Sequence, residues 1–212
     1  MVIADNTIKK LLQNVYFIWG DGKTATANAL AKRHDIYVYH TDDSRSRHFK
    51  NAHPDYQPAM CRDVPDFWAL KKEDAFLWES AVVREMTPMI AAELIGLCYK
   101  YKRIICEGDI DIDTVLPVVT NAVVISNHGK KYDFFARPEQ AHMLKEIRQR
   151  ADLDEAQKQR RIENAYNITA SDSAVKKAER RAVRLYGVKE IIRDESTSVE
   201  QVAKLIEEYW KL

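Results

Sequence analysis

The feature that most constrains the fold lies near the start of the chain, where a β-prone run meets a helical pattern across a turn that contains two glycines. Residues 15–19 have the length and composition of a buried central strand, and Gly20 and Gly22 end it. Residues 24–33 are rich in alanine and carry apolar side chains on one helical face. This order of strand, turn and helix predicts the opening of an α/β fold.

Four more predicted strands alternate with helices along the rest of the chain. The strands span residues 35–39, 104–106, 122–125 and 188–192, and the helices span 66–70, 73–101, much of 132–187 and 198–210. We expect a kink at Pro88 and helix breaks near Asp152 and residues 169–171. Residues 44–65 hold three prolines and several charges, which predicts a loop or an insertion. The alternation predicts one domain, a three-layer sandwich with a five-stranded parallel sheet.

Chemically active side chains follow three of the predicted strands. The glycine turn follows the first strand, Asp42 and Asp43 follow the second, and Glu107 follows the third. Ligands of parallel sheets bind outside the carboxyl ends of the strands, so these groups are expected along one edge.

The turn at residues 20–24, Gly-Asp-Gly-Lys-Thr, has the composition of a phosphate site. Glycines allow backbone N–H groups to point at a phosphate, and a helix N-terminus adds partial positive charge. Lys23 would neutralise the phosphates, and the Thr24 hydroxyl would bind Mg²⁺.

These residues, together with an arginine-rich stretch before the last strand, give the chain its resemblance to a known family. The sequence resembles the P-loop small-molecule and nucleotide kinases, the group that contains shikimate, gluconate, nucleoside and adenylate kinases. The order of elements extends the resemblance over nearly the whole chain. It implies a P-loop NTPase fold with a helical insertion on the substrate side at about residues 44–100 and a helical lid at about residues 130–170.

The resemblance implies an ATP-dependent phosphotransferase that acts on a hydroxyl of a small metabolite or nucleoside, with ATP and Mg²⁺ as cofactors. The residues implied to bind the nucleotide are Gly20, Gly22, Lys23, Thr24 and Ala25. The residues implied to hold the metal are Thr24, Asp42 and Glu107. The residues implied to be catalytic are Lys23, Asp42, Asp43 and Arg137. Further lid arginines of the same stretch are Arg148, Arg150, Arg160 and Arg161.

The turn departs from the family's motif, G-x-x-x-x-G-K-[ST], in its length. That motif requires glycine at position 17, where this chain has Phe17, and three loop residues are absent if Gly20 is the first glycine. Asp21 also places negative charge where a phosphate would lie. Two interpretations follow: the chain binds nucleotide weakly or not at all, or a different loop completes the site.

Several alternatives remain open at this point. Asp42 and Asp43 suit an acid–base role and equally a turn or a helix cap, and Glu107 suits a metal site or a capping carboxylate. The arginines also suit a solvated helix face. A degenerate P-loop protein that acts as a binding or regulatory module is the alternative to a kinase, and a nucleotide hydrolase is the third candidate.

Composition excludes some classes of function. With 33 Lys and Arg against 32 Asp and Glu, the chain has no basic excess, so no nucleic-acid partner is expected.

The three cysteines form no framework, and no secretion signal or membrane segment is found, which predicts a cytoplasmic protein. The run Asp109, Asp111, Asp113 lacks the glycine and glutamate of a calcium loop, because Thr114 and Thr120 stand there. The sequence does not indicate an oligomeric state.

Overall fold

A computed structural model of the chain describes residues 5–64, 67–127, 138–168, 174–194 and 196–212. In these ranges the strands are β1 (Val15–Gly20), β2 (Tyr37–His40), β3 (Ile104–Glu107), β4 (Asn121–Asn127) and β5 (Lys189–Arg193). The α-helices are α1 (Asp5–Leu11), α2 (Lys23–His34), α3 (Thr41–Asn51), α4 (Pro58–Cys61), α5 (Lys72–Cys98), α6 (Ile112–Val115), α7 (Pro138–Gln149), α8 (Glu155–Ile168), α9 (Ala174–Tyr186) and α10 (Val199–Trp210). Two short 3-10 helices occupy Phe67–Ala69 and Leu116–Val118.

The five strands are all parallel and form one sheet in the order β2-β3-β1-β4-β5. The chain leaves β1 through α2 toward β2, and it leaves β3 in the opposite direction, toward β4. β1 and β3 are neighbours, so the direction of the connections reverses between them, which is where open α/β sheets bind ligands. The predicted α/β fold with a five-stranded parallel sheet is confirmed.

Side chains alternate between the two faces of the sheet and fill an apolar core on each. Phe17 and Trp19 of β1 belong to the core beneath α5, whereas Ile18 belongs to the core beneath α2 and α10. All four residues of β3 are buried, as in a strand covered on both sides. Helices therefore cover both faces of the sheet and hold its carboxyl edge in place.

Helix α3 occupies residues that the sequence predicted as a loop. Its buried side chains are Thr41, Ser44 and His48, which share one helical face and are all polar. Tyr39 Oη donates to Ser44 Oγ at 2.9 Å, so this face is buried through hydrogen bonds. A polar buried face leaves no hydrophobic periodicity in the sequence, and for this reason the loop alternative for residues 44–65 is wrong over residues 44–51.

The helices predicted at residues 24–33, 73–101 and 198–210 correspond to α2, α5 and α10, and the kink expected at Pro88 stays a prediction. Helix α5 contains Pro88 and continues beyond it, and the break predicted near Asp152 separates α7 from α8. The break predicted at residues 169–171 lies outside the described residues. None of the helices in the described ranges combines the length and the apolar composition that a membrane crossing requires.

Candidate functional site

The turn between β1 and α2 contains only Asp21 and Gly22, and two glycines shape it. Gly20 has φ 99° and Gly22 has φ 79°, values that glycine adopts readily and other residues rarely. The Asp21 amide donates to the Ile125 carbonyl oxygen of β4 at 2.9 Å. This amide is used by the neighbouring strand, so the turn follows the sheet edge closely and does not form a wide loop around a phosphate.

The N-terminus of α2 leaves backbone donors available beside this turn. Gly22 is the N-cap and makes no side-chain capping bond, and the first helical hydrogen bond runs from Thr26 N to Gly22 O at 3.0 Å. The amides of Lys23, Thr24 and Ala25 precede that bond and have no carbonyl four residues earlier in the helix to pair with. Their N–H groups and the helix dipole together favour an anion at this point.

Thr24 and Glu107 meet across the gap between α2 and β3. Thr24 Oγ1 donates to Glu107 Oε2 at 3.0 Å, and His40 Nδ1 lies 2.5 Å from Glu107 Oε1. Glu107 is buried, with 3% of its surface exposed, so both carboxylate oxygens are satisfied by side chains of neighbouring elements. The register explains the meeting, because Glu107 pairs with both His40 of β2 and Ile18 of β1.

The loop after β3 is fixed against the start of α3. Asp109 N donates to Thr41 Oγ1 at 2.9 Å, and Gly108 adopts φ 121° beside the same threonine. A Cβ at Gly108 would overlap the Thr41 hydroxyl. This close approach places Asp109 near the first turn of α3.

Asp42 and Asp43 both lie in the exposed first turn of α3, and neither is its N-cap. Partial desolvation at the site raises the pKa of Asp42 above its ordinary value, and the charge of Asp109 raises it further. Lys23 acts in the opposite direction. Asp42 is therefore electrostatically coupled to the groups around the turn.

Asp21 forms an ion pair with a lysine of a distant helix. Its carboxylate lies 2.9 Å from Lys176 Nζ of α9, and the same ammonium lies 3.0 Å from Glu179. Burial opposes the charged form of Lys176, yet Glu179 and Asp21 outweigh it and raise the lysine's pKa. Burial raises the pKa of Glu179 as well. The negative charge that the sequence placed in the turn is thus paired with an ammonium.

Arg193 and Lys176 belong to the site but were not among the residues that the sequence predicted, and Arg193 had a usable signal. Arg193 is the last residue of β5, and its guanidinium lies over Gly22. The rule that selected Asp42 and Glu107, position at the carboxyl end of a strand, selects Arg193 too. Lys176 had no signal, because only the packing of α9 brings it to Asp21.

Four of the arginines expected in a lid lie on α7, on α8 or in the segment between them. Arg137 lies outside the described residues. Arg150 pairs with Asp152 at the end of α7, at 2.5 Å, and Arg161 is buried in α8. Arg148 and Arg160 are exposed on α7 and α8.

The oxygen ligands at the turn suit Mg²⁺ better than a softer metal. Thr24, Asp42 and Glu107 offer a hydroxyl and carboxylates, which hard cations prefer. In the part of the chain that the structure describes, no group of three His, Cys, Asp or Glu side chains is arranged to hold a metal on its own. Mg²⁺ commonly takes one or two carboxylates plus substrate phosphates, so these residues fit an ion that arrives with a phosphate ligand.

No protein-family model matches this chain, and no curated protein matches it either.

Proposed function

We propose that this protein is an ATP-dependent phosphotransferase of the P-loop kinase type, acting on a hydroxyl of a small metabolite or nucleoside. The observation that carries the proposal is the hydrogen bond from Thr24 to Glu107 at the open N-terminus of α2. It joins a hydroxyl and a buried carboxylate, both suited to a phosphate-bound Mg²⁺, directly beside Lys23 and the free helical amides.

The nucleotide's terminal phosphates would lie at the N-terminus of α2. The amides of Lys23, Thr24 and Ala25 donate to phosphate oxygens there, and the Lys23 ammonium neutralises their charge. Mg²⁺, when bound through Thr24 and Glu107, would supply charge neutralisation at the phosphates and leave the Asp42 carboxylate available as a base. Glu107 is held by Thr24 and His40, so its carboxylate needs no rearrangement.

Asp42 is the residue best placed to accept the proton of the acceptor hydroxyl. The acceptor oxygen forms a bond to the γ-phosphorus, the bond from that phosphorus to the bridging oxygen of ADP breaks, and the hydroxyl proton passes to the Asp42 carboxylate. A raised pKa makes this carboxylate a stronger base than an ordinary aspartate. Asp43 is not needed for this step.

The turn itself favours a second candidate, a binding or regulatory module that has lost catalysis. The Asp21 amide is bonded to Ile125, and only two residues separate β1 from α2. Such a turn offers backbone N–H donors to the terminal phosphate of a nucleotide but few N–H donors to the phosphate that precedes it. A protein built this way would bind a phosphate ligand without holding it in line for transfer.

Titration calorimetry with Mg·ATP separates binding from its absence. Lys23→Ala is the test variant, and Lys32→Ala is its matched control, because Lys32 is exposed in the last turn of the same helix. We expect the Lys23 variant to bind at least 10-fold more weakly, since a charge-assisted contact contributes about 1.5–3 kcal/mol. Equal affinities for wild type and the Lys23→Ala variant would refute the kinase mechanism.

Turnover then separates the kinase from its alternatives. ADP release is measured with and without pools of nucleosides and sugar acids, for wild type and for Asp42→Asn. Release that requires an acceptor and falls strongly in the Asp42 variant supports the kinase. Release without an acceptor indicates a hydrolase, and Lys23-dependent binding without any release indicates the binding module.

A further inference from the structure

Arg193, the last residue of β5, approaches the turn at Asp21 and Gly22 from the β5 side of the sheet. A Cβ on Gly22 would lie 2.6 Å from Arg193 Nη1, so the guanidinium lies directly against the backbone of the turn. Arg193 Nε donates to the Thr197 carbonyl oxygen at 3.2 Å, which anchors the side chain from the loop after β5. Glycine at position 22 thus permits both a positive φ and this close approach.

The guanidinium has donors left after this anchoring. Arginine carries five N–H donors in a planar fork. In the described part of the chain, the hydrogen-bond partner of Arg193 is Thr197, and no carboxylate oxygen lies within 4.0 Å of a guanidinium nitrogen, the distance that defines an ion pair. The adjacent acid, Asp194, is engaged with other residues, since its Oδ1 accepts from Ser196 and Thr197.

Two cations, Lys23 and Arg193, meet at the N-terminal end of α2. Arg193 and Lys23 both lie at the N-terminal end of α2, the positive end of its dipole, although cations are ordinarily favoured at the opposite end. The acid within the turn, Asp21, is already paired with Lys176. A phosphate placed between the guanidinium and the helical amides would relieve this repulsion, and the arginine fork matches phosphate oxygens.

We propose that Arg193 binds a phosphate group of the nucleotide from the β5 side and replaces donors that the three absent loop residues would have supplied. The inference rests on the proposed function for the nucleotide as ligand, while the contact itself is between a guanidinium and a phosphate oxyanion. It explains how a two-residue turn can still bind phosphate, since one side of the site is built by the end of another strand.

Calorimetric titrations with inorganic pyrophosphate and with Mg·ATP test the proposal on four variants of the full chain. Arg193→Gln removes charge and fork, Arg193→Lys keeps charge alone, and Lys23→Ala tests the helix side of the site. Arg103→Gln is the matched control, because Arg103 is exposed before β3 at the opposite edge of the sheet. Urea unfolding of each variant reports whether the loop held by Arg193 stays folded.

We expect Arg193→Gln to weaken pyrophosphate and Mg·ATP about 10-fold to 100-fold, with partial recovery in Arg193→Lys and no change in the control. Wild-type affinity in Arg193→Gln, with weakened binding in Lys23→Ala, overturns this inference and leaves the proposed function standing. Weakened pyrophosphate binding in Arg193→Gln, with Lys23→Ala unchanged, supports the arginine contact and overturns the kinase mechanism. Absence of binding to wild type overturns both. If Arg193→Gln does not fold, wild-type affinity in Arg193→Lys overturns the inference, since lysine has no fork.

Discussion

Replacing Gly20 with alanine tests whether the turn depends on its close contact with β4. A Cβ on Gly20 would lie 2.8 Å from Ile125 N and closer still to the Ile125 carbonyl oxygen, whereas real Cβ atoms keep about 3 Å from such atoms. The obstacle is the backbone of a central strand, which cannot turn aside as a side chain would. β1 and β4 must therefore separate at the Gly20–Ile125 pair.

The structure sets the size of the effect. A non-glycine residue at φ 99° costs about 1–3 kcal/mol. Separation of the strands also breaks the hydrogen bond from Asp21 N to Ile125 O, which contributes about 1 kcal/mol. We expect Gly20→Ala to lower the free energy of unfolding by about 2–4 kcal/mol, a large part of the about 5–15 kcal/mol that is typical of a folded domain.

Gly96→Ala is the matched control, because the same chemical change should act in the opposite direction. Gly96 is an exposed residue of α5, and a Cβ added there would have no neighbouring atom of the described residues within 4 Å. Alanine in a helix interior is about 0.5–1 kcal/mol more stable than glycine. Urea unfolding followed by tryptophan fluorescence and circular dichroism measures both variants. A Gly20→Ala protein as stable as wild type, or equal destabilisation of both variants, would show that the contact with Ile125 is not what the turn requires.

Two further substitutions probe the site, and a third probes the start of the remote helix α10. Thr24→Val removes the hydroxyl that donates to Glu107. In calorimetry, the affinity for Mg·ATP should fall about 10-fold, while the affinity for pyrophosphate without Mg²⁺ should be unchanged. Equal losses of affinity for the two ligands would argue against a metal role for Thr24. Asp42→Asn should be more stable than wild type near neutral pH. The pKa of Asp42 is raised in the folded state, so the protonated carboxyl stabilises the fold, and this stabilisation is lost as the pH rises through the folded-state pKa. The gain should vanish in urea unfolding below the ordinary pKa of 3.8, and a gain that persists there contradicts the reasoning. Ser198→Ala removes the capping box with Gln201 at the start of α10 and should cost about 1 kcal/mol in the same assay; an unchanged midpoint would show that water replaces the cap.

Much of the fold was accessible from the sequence because its signals are local. The β-prone run before Gly20 is buried on both faces, so it reads as a strand without tertiary information. Helix α3 was not accessible, because its buried face is polar and is stabilised by contacts with Tyr39 that no periodicity records. Pattern analysis detects apolar faces, and it fails where a helix is buried through hydrogen bonds.

The candidate site divides in the same way. Position at a strand's carboxyl end predicted that Asp42 and Glu107 would lie near the turn, and the parallel register brings them there. The role of Asp42 was not readable, since Asp42 and Asp43 stand in the same helical turn and the groups that raise the pKa of Asp42 come from other elements. Proximity to Asp109 and Lys23 arises from three separate elements.

The sequence by itself determined that the chain has a strand, a short glycine turn and a helix at its start, because glycine spacing and side-chain periodicity are properties of neighbouring residues. Only the tertiary structure decided what surrounds that turn. The sequence placed an unbalanced negative charge at Asp21, and the packing of α9 supplies Lys176 to pair with it. The end of β5 likewise brings Arg193 over Gly22 from far along the chain. Pairing across such distances depends on how helices and strands pack, which no local pattern encodes.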